Sequence, residues 1–305
     1  MANTALTSQT VNVTGAVYRL ASPTVHTPDP INFGIVHVGD TAPSQTLSLT
    51  NSAANDNFSE KLDASIGSAT GGVTTNSGSF NLLAPGATNN TSLAVGINTS
   101  SAGSKNGTAI ISLSSDGTGT SGLANTSLTS QTVNVNGQVN FFADPVIIFK
   151  SGSAMLIKTD PTHYTLDFGT LQRFQKTVSA SFGVQNFLND ATFQDTLGGT
   201  FNTAGVTHYS LTGFPTNNTF SGIAPGSSLD PTIGFNPNRS DGTYTDAIFL
   251  TLTSANSTAT SNLPTIELDV TALVVPEPSS LLLVLGGFGG LIALQRARRL
   301  NRHRR

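Results

Sequence analysis

The chain has 305 residues, and its 17 acidic and 14 basic residues give a formal net charge of −3. It contains no cysteine, which excludes a disulfide framework and thiolate metal sites. Six of the basic residues are arginines in the last ten positions, so the first 294 residues carry eight basic and seventeen acidic side chains. A body this acidic repels phosphate backbones, which argues against nucleic-acid binding.

The composition favours short strands over helices. The chain has 30 glycines and no tryptophan, and only 10% of its residues are charged. Large apolar anchors are therefore few, and turns joining short β-rich segments are many. At about 100 to 150 residues per domain, the length suggests two domains with additional segments.

The opening segment of the chain is repeated one domain later. Residues 2–17 (ANTALTSQTVNVTGAV) match residues 124–139 (ANTSLTSQTVNVNGQV) at nearly every position, with a constant offset of 122 residues. In both segments the Val-Asn-Val alternation places the valines on one face of a strand. A weaker third copy, IELDVTAL, occupies residues 266–273. Each copy predicts the strand that closes a domain.

The first copy has no domain before it. We expect residues 1–20 to be the orphan closing strand of a truncated upstream repeat, because no charged start or apolar signal segment precedes them. The simplest interpretation is that the chain is the C-terminal part of a longer protein. The alternative is that Met1 is the true start and that export is lost. Since an unpaired strand exposes backbone donors and acceptors, residues 1–17 should be disordered or pair with a sheet edge.

The segments between the closing strands also occur twice, in the same order. INFG and LDFG each lead into an alternating strand, LLAPG and GIAPG predict turns, and NG or DG then precedes a β-rich run. Short strands separated by turns about every ten residues are typical of Ig-like sandwiches. The sequence therefore predicts an all-β protein with two tandem Ig-like β-sandwich domains, at residues 21–140 and 141–273. Residues 146–150 (VIIFK) are expected to be an added strand or the first strand of the second domain.

The alternation of apolar and polar residues predicts which side chains face the two cores. These residues are Phe33, Leu47, Leu49, Ile111, Val133, Val135, Phe168, Phe249, Ile266, Leu268 and Val270.

The first predicted domain resembles a family of bacterial surface repeats, the choice-of-anchor D domains, which are related to the Hydin-type (ASH) Ig-like domains. The matching features are Phe33-Gly34 followed by VGDTAPSQTLSLTN, and the Ala84-Pro85-Gly86 turn. The second domain matches less well, because RFQKTVSASFGVQN lacks the Val-Gly-Asp turn. The resemblance implies extracellular β modules and supplies no catalytic residues.

The C-terminal segment, residues 274–305, has three parts. Pro276-Glu277-Pro278 comes first, and an uncharged apolar run from Ser279 to Leu294 follows. As a helix this run would be about 24 Å long, against a hydrocarbon core of about 30 Å. It therefore predicts a single C-terminal hydrophobic helix that is marginally short for a permanent span. Basic residues follow it and would keep the C-terminus in the cytoplasm. They are Arg296, Arg298, Arg299, Arg302, Arg304 and Arg305.

This order of Pro-Glu-Pro, short apolar run and terminal arginines resembles the PEP-CTERM sorting signal. The resemblance implies recognition by a membrane exosortase in a Gram-negative bacterium and removal of the tail during surface sorting, often linked to exopolysaccharide. The predicted protein is thus an exported structural component of the cell surface, extracellular matrix or biofilm, with a transient inner-membrane stage. The alternative is an adhesion module that binds exopolysaccharide or another glycan.

No motif indicates an enzyme, a metal or a cofactor. DFG at 167–169 lacks the other kinase motifs, GTGTSG at 117–122 is not followed by a helix, and no G-x-S-x-G occurs. NPNRSDG at 236–242 carries oxygen ligands but departs from the regular calcium loop. The histidines do not have metal-ligand spacing and belong to no carboxylate or histidine cluster in the sequence, so we expect them on loops or strand surfaces. They are His26, His37, His163, His208 and His303.

Overall fold

The computed structural model describes residues 1–277, 292–293 and 295–296. The chain divides between Asn140 and Phe141 into two compact units. Each unit is a β-sandwich, and the described residues before 278 contain no helix other than a 3-10 turn at Thr216–Asn218. The prediction of an all-β protein is confirmed.

The first unit contains eleven strands. They are β1 Ile31–His37, β2 Ser44–Thr46, β3 Leu49–Thr50, β4 Lys61–Gly67, β5 Val73–Thr75, β6 Ser79–Leu83, β7 Thr88–Asn89, β8 Ala94–Ile97, β9 Gly103–Ser104, β10 Gly107–Asp116 and β11 Thr126–Asn140. The main sheet has the order β1-β11-β10-β4-β6, with β9 also paired to β11. The order β2-β8-β5 and the pair β3-β7 supply the facing side, and the buried leucines, isoleucines and valines of both sides form one core.

The second unit repeats this plan with longer strands. They are β12 Pro145–Gly152, β13 Met155–Lys158, β14 His163–Gln172, β15 Val178–Asn186, β16 Thr196–Asn202, β17 Tyr209–Thr212, β18 Thr219–Ile223, β19 Ser228–Leu229, β20 Thr232–Phe235, β21 Gly242–Ala255 and β22 Thr260–Val275. One sheet has the order β13-β14-β22-β21-β16-β18, and the other has the order β12-β15-β20-β17. The VIIFK segment lies within β12, as an outer strand of the second sheet.

The Phe-Gly motif has the same role in both units. β1 runs parallel to β11, and β14 runs parallel to β22, and each pair has an irregularity at the Phe-Gly positions. Gly34 and Gly169 adopt φ values of 66° and 68°, a conformation that side chains with a Cβ disfavour. The carboxamide of Asn32 and the carboxylate of Asp167 each accept a hydrogen bond from the backbone N–H of the glycine two residues later. The repeat seen in the sequence is thus a repeated β-bulge.

Most residues predicted to face a core are buried. Those confirmed are Leu47, Leu49, Ile111, Val133, Val135, Phe168, Ile266, Leu268 and Val270.

Two core predictions differ from the structure. Phe249 is 40% exposed, because Ile248 and Leu250 on either side face the core. Three consecutive apolar residues give no clear alternation, and the inward face of β21 is set by its pairing with β22. Phe33 is half-buried against the first core, next to the bulge glycine.

Residues 1–17 form no strand in the structure, and their side chains are exposed. The expected pairing with a sheet edge is therefore not formed within this chain. That these residues close an upstream repeat stays a prediction.

Candidate functional site

The Pro-Glu-Pro motif begins directly after the last strand. β22 ends at Val275, and Pro276 and Glu277 are both exposed. Val274, two residues before the motif, is buried in the core of the second unit. The chain therefore passes from a packed strand to an accessible, strand-free backbone within two residues.

The rest of the predicted sorting segment lies largely outside the described residues. Pro278, most of the apolar run 279–294, and Arg298, Arg299, Arg302, Arg304 and Arg305 belong to that part. Ile292, Ala293 and Arg296 are described, and all three are helical and exposed. Among the described residues, no helix has the length and apolar character needed to cross a membrane.

Each unit buries a carboxylate in a hydrogen-bonded network. In the second unit, the Ser254 hydroxyl donates to the Asp195 carboxylate at 3.0 Å and accepts from the Ala143 backbone N–H at 2.9 Å. The fully buried Asn186 donates through Nδ2 to the carbonyl oxygens of Asp195 and Ile223, at 3.0 and 3.1 Å.

The first unit has the same network with different residues in two places. The Ser115 hydroxyl donates to the Glu60 carboxylate at 2.6 Å and accepts from the Ala21 backbone N–H at 2.8 Å. Asn51 donates through Nδ2 to the carbonyl oxygens of Glu60 and Leu83, both at 3.2 Å. Ala21 precedes Ala143 by 122 residues, the same offset as the repeated closing segments.

These networks stabilise the fold. The backbone carbonyls of Asn51 and Asn186 also accept the N–H groups of Gly86 and Gly226, so each network holds the Ala-Pro-Gly turn. The first network therefore joins the segment at Ala21, the turn and strands β6 and β10, and the second joins the segment at Ala143, the turn and strands β15, β18 and β21. Both carboxylates are buried and hydrogen-bonded, as polar groups inside proteins must be.

An open groove of about 580 Å³ lies on one side of the first unit. One wall is residues 128–132 of β11, and the other is made of residues between 21 and 29. Gln131 crosses the groove, because its Oε1 accepts the His26 backbone N–H at 2.9 Å and its Nε2 donates to the Thr24 carbonyl at 2.7 Å. The groove falls within the usual size range of ligand sites, about 300 to 1,000 Å³.

The corresponding place in the second unit is smaller. Its groove has a volume of about 260 Å³ and is lined by residues 143–145, 161–162, 263–264 and 266. Pro264 lies in the strand wall of this groove, and a proline has no backbone N–H to offer.

The four histidines that the structure describes each have a ring nitrogen within 4 Å of an aspartate, in the pairs His26–Asp29, His37–Asp40, His163–Asp160 and His208–Asp246. The expectation of a loop or strand-surface position is wrong for His26 and His37, which are buried. His303 lies outside the described residues. Within the described part of the chain, no group of three or more acidic or histidine side chains is placed to hold a metal ion.

The pair His208–Asp246 anchors a loop of the second unit. The Asp246 carboxylate accepts the backbone N–H of His208 at 2.7 Å and that of Thr207 at 2.8 Å, and it contacts the imidazole at 2.7 Å. Burial opposes its charge, but these hydrogen bonds hold the pKa of Asp246 below its usual value. Arg239 donates to the His208 carbonyl at 2.9 Å and lies over the Tyr244 ring.

The NPNRSDG loop therefore has a positively charged side chain, that of Arg239, at its centre. Arg239 is held against an aromatic ring, and the Asp241 carboxylate pairs with Arg173 at 2.8 Å. These contacts do not favour the calcium site that the oxygen-rich sequence allowed.

His163 belongs to a solvent-exposed acidic cluster. The backbone N–H of Thr162 and the His163 side chain lower the pKa of Asp160 to about 2. The hydrogen bond from Asp160 in turn raises the pKa of His163. The other ring nitrogen of His163 lies 3.3 Å from the Glu267 carboxylate. Both partners of the histidine are accessible, so the cluster is a charged surface feature.

No family model matches the chain, and no curated protein is similar enough to count as a relative. Solved structures with some likeness include a Porphyromonas gingivalis W83 protein of unknown function, with 16% identity and a TM-score of 0.29, covering 82% of this chain and 99% of that one. A mutant of the enterotoxigenic E. coli adhesin CfaE has 11% identity and a TM-score of 0.33, covering 84% and 100%. The CsuC–CsuE chaperone–tip adhesion subunit complex of Acinetobacter baumannii has 9% identity and a TM-score of 0.32, covering 76% and 99%. The fold assignment therefore rests on the strand pairing described above.

Proposed function

We propose that this chain is an exported structural protein of the cell surface or extracellular matrix, routed by a C-terminal signal of the PEP-CTERM type. Its two β-sandwiches are Ig-like modules related to the choice-of-anchor D domains. A membrane exosortase is the partner that recognises residues 276–278. The apolar run 279–294 holds the protein in the inner membrane until the tail is removed, with the C-terminus in the cytoplasm.

The exposure of Pro276 and Glu277 immediately after β22 is the observation that carries this proposal. A processing enzyme at the membrane surface needs an extended backbone that no fold protects. Proline supplies such a backbone because it lacks an N–H and cannot continue a helix. The arginines that follow the apolar run orient it by the positive-inside rule.

The test replaces Pro276, Glu277 and Pro278 by alanine in a host that carries an exosortase. Alanine favours helix and proline costs about 3 kcal/mol in a helix interior, so the membrane helix can extend backwards through the motif. We expect untrimmed protein to accumulate in the inner membrane while thermal unfolding of the sandwiches stays unchanged. The control is Pro161→Ala, which removes another exposed proline of the second unit and should be trimmed normally. If the triple variant is trimmed and delivered as fast as the parent, the tail is an ordinary anchor.

A second candidate function is binding of exopolysaccharide or another glycan. It is favoured by exposed phenylalanines, since sugar rings pack on accessible aromatic faces. The most accessible are Phe174, 65% exposed, and Phe187, 50% exposed. The chain ending at Glu277 should bind extracted polysaccharide. The Phe174→Ser/Phe187→Ser variant of that chain should bind the same polysaccharide at least tenfold more weakly. Equal binding by that variant and by the parent would remove the support from these residues.

A further inference from the structure

The last strand leaves the second unit between two loops. The Arg173 backbone N–H donates to the Val275 carbonyl at 2.9 Å, at the point where β14 and β22 end side by side. The Arg173 guanidinium lies 2.8 Å from the carboxylate of Asp241, which precedes β21. Loops 173–177 and 236–241 therefore flank the last residues of β22. We call these two loops, together with the three residues from Val275 onward, the exit end of the second unit.

The exit end presents an aromatic ring to solvent. Phe174 is 65% exposed, the largest value among the phenylalanines of the described residues. Its φ is 64°, a left-handed conformation that bulky side chains rarely adopt. The turn around it is closed, because the Gln175 N–H donates to the Gln172 carbonyl and the Gln175 side chain accepts the Gln172 N–H, both at 3.1 Å. Strained residues of this kind cluster at functional sites, which indicates that the ring makes a contact outside the unit.

Charge differs between the two ends of the second unit. The exit end carries three basic and two acidic residues, which are Arg173, Lys176, Arg239, Asp241 and Glu277. The loops at the opposite end, where β14 begins and β15 ends, carry four aspartates and no basic residue. These loops are residues 141–144, 159–162 and 187–195. The exit end is therefore the end that an anionic surface attracts.

The apolar run of the C-terminal segment begins close to the exit end. Four Cα–Cα steps join Val275 to Ser279, and they span at most about 14 Å. The headgroup layer of a bilayer is about 5–8 Å thick on each side of the hydrocarbon. With the run 279–294 in the inner membrane, as proposed above, the exit end must lie within about 10 Å of the headgroups. The membrane is thus the surface that this end of the unit meets.

We propose that the exit end docks on the anionic lipid headgroups of this membrane, with the Phe174 ring inserted at the interface and Lys176 beside the lipid phosphates. Aromatic rings bury themselves at the boundary between headgroups and acyl chains, and lysines are attracted to anionic lipid. The inference rests on the proposed function, because the tail supplies the tether. Docking holds residues 276–278 at the level of the headgroups, where a membrane enzyme can reach them.

The test uses the absence of tryptophan from the chain, which makes Phe174→Trp a single fluorescent reporter. The matched control is Phe187→Trp, because Phe187 is 50% exposed and follows the opposite end of β15. Each full-length variant is reconstituted in vesicles of phosphatidylethanolamine and phosphatidylglycerol, with and without brominated lipid. Bromine should quench the tryptophan emission of Phe174→Trp at least about fivefold more than that of Phe187→Trp. Equal quenching of the two variants would overturn the proposal.

Flotation of the vesicles separates a failure of this inference from a failure of the proposed function. The parent chain should float with the vesicles after a high-salt wash, because its tail is inserted. A parent that floats, without excess quenching in Phe174→Trp, overturns the docking alone. A parent that stays behind overturns the membrane tether and the docking with it.

Phe174 also belongs to the glycan-binding alternative, and the same reporter distinguishes the two partners. An emission of Phe174→Trp that shifts with extracted polysaccharide, but is not quenched by brominated lipid, would overturn the membrane docking.

A pair of lysine variants tests the electrostatic part of the proposal. In the Phe174→Trp chain, Lys176→Gln should lower the excess quenching at least about twofold, because anionic lipid no longer attracts the loop. Lys158→Gln is the matched control and should leave the quenching unchanged. It removes an exposed lysine of β13 that lies opposite Tyr164, at the start of β14 and away from the exit end. Equal quenching in the two lysine variants would overturn the assignment of anionic headgroups.

Discussion

Removing the side-chain amide of Asn186 should strongly destabilise the second unit. Its Nδ2 donates to the carbonyls of Asp195 and Ile223, and its Oδ1 accepts from the Asp144 backbone N–H and the Gln194 side chain, both at 3.0 Å. Asn186→Ala therefore removes one hydrogen-bond partner from each of four polar groups in a buried environment. Each such group costs about 1–3 kcal/mol, but neighbouring losses do not add fully. We expect a loss of about 3–4 kcal/mol in the free energy of unfolding.

The assay is urea unfolding of the chain ending at Glu277, followed by tyrosine fluorescence. The protein has no tryptophan and four tyrosines, and Tyr164, Tyr209 and Tyr244 belong to the second unit. With a denaturant slope of about 2 kcal/mol per molar urea, the tyrosine midpoint should fall by about 1.5–2 M. Asn262→Ala removes the same side chain at an exposed position of β22 and should stay within about 0.5 kcal/mol of the parent.

The equivalent change in the first unit sharpens this prediction. Asn51→Ala should lower the unfolding midpoint seen by circular dichroism, because Asn51 holds the same kind of network in the first unit. A tyrosine midpoint for Asn186→Ala that matches that of Asn262→Ala would refute the reasoning. Such a result would mean that water, or relaxation of the turn, compensates for the lost hydrogen bonds of the buried amide with little loss of stability.

Three further predictions concern packing, titration and backbone conformation. Leu250→Ala should destabilise the second unit by about 2–5 kcal/mol, and Phe249→Ala should destabilise it by well under half as much, because only Leu250 is fully buried. Urea unfolding of the two variants measures this difference. Equal losses of stability would contradict the assigned inward face of β21. The pKa of His163 is raised by Asp160, so any stabilisation from this pair is complete below the ordinary histidine pKa and is lost as the pH rises through the folded value. In an NMR titration Asp160→Asn should lower the pKa of His163, and an unchanged value would exclude the pairing. Gly34→Ala should lower the free energy of unfolding by about 1–2 kcal/mol through the positive φ of this residue alone, since no atom lies within 4 Å of the added Cβ. An unchanged thermal unfolding temperature would show that the bulge can adopt another conformation.

The succession of strands along the chain and much of the core were accessible from the sequence because they depend on local patterns. Alternation in IELDVTAL fixed Ile266, Leu268 and Val270 as inward, and all three are buried. The repeated Phe-Gly pairs predicted corresponding strands in the two units, whereas the bulge at each glycine was seen only in the structure. Alternation failed at Phe249, where its neighbours are apolar too and only cross-strand pairing selects the face.

For the candidate sites too, some features could be predicted from the sequence and others depend on the fold. Three of the four described histidine–aspartate pairs have i, i+3 spacing, a signal that was present in the sequence and missed. The pair His208–Asp246 spans 38 residues and is brought together only by the fold. Pro276 and Glu277 follow the last alternating residues, so their exposure could be predicted from where the strand pattern ends.

The buried networks and the exit end of the second unit required the tertiary structure. Asn51 and Glu60 are near in sequence, but Ser115 joins them from 55 residues beyond the glutamate, and nothing in a polar residue's own neighbours shows that it is buried. The sequence likewise predicted strands at LDFG and IELDVTAL, without showing that they pair. Strand pairing depends on contacts between residues about 100 positions apart, such as Gln172 with Val275. Local patterns determined the strands of this protein, and the packing of distant segments decided which of their surfaces remain open.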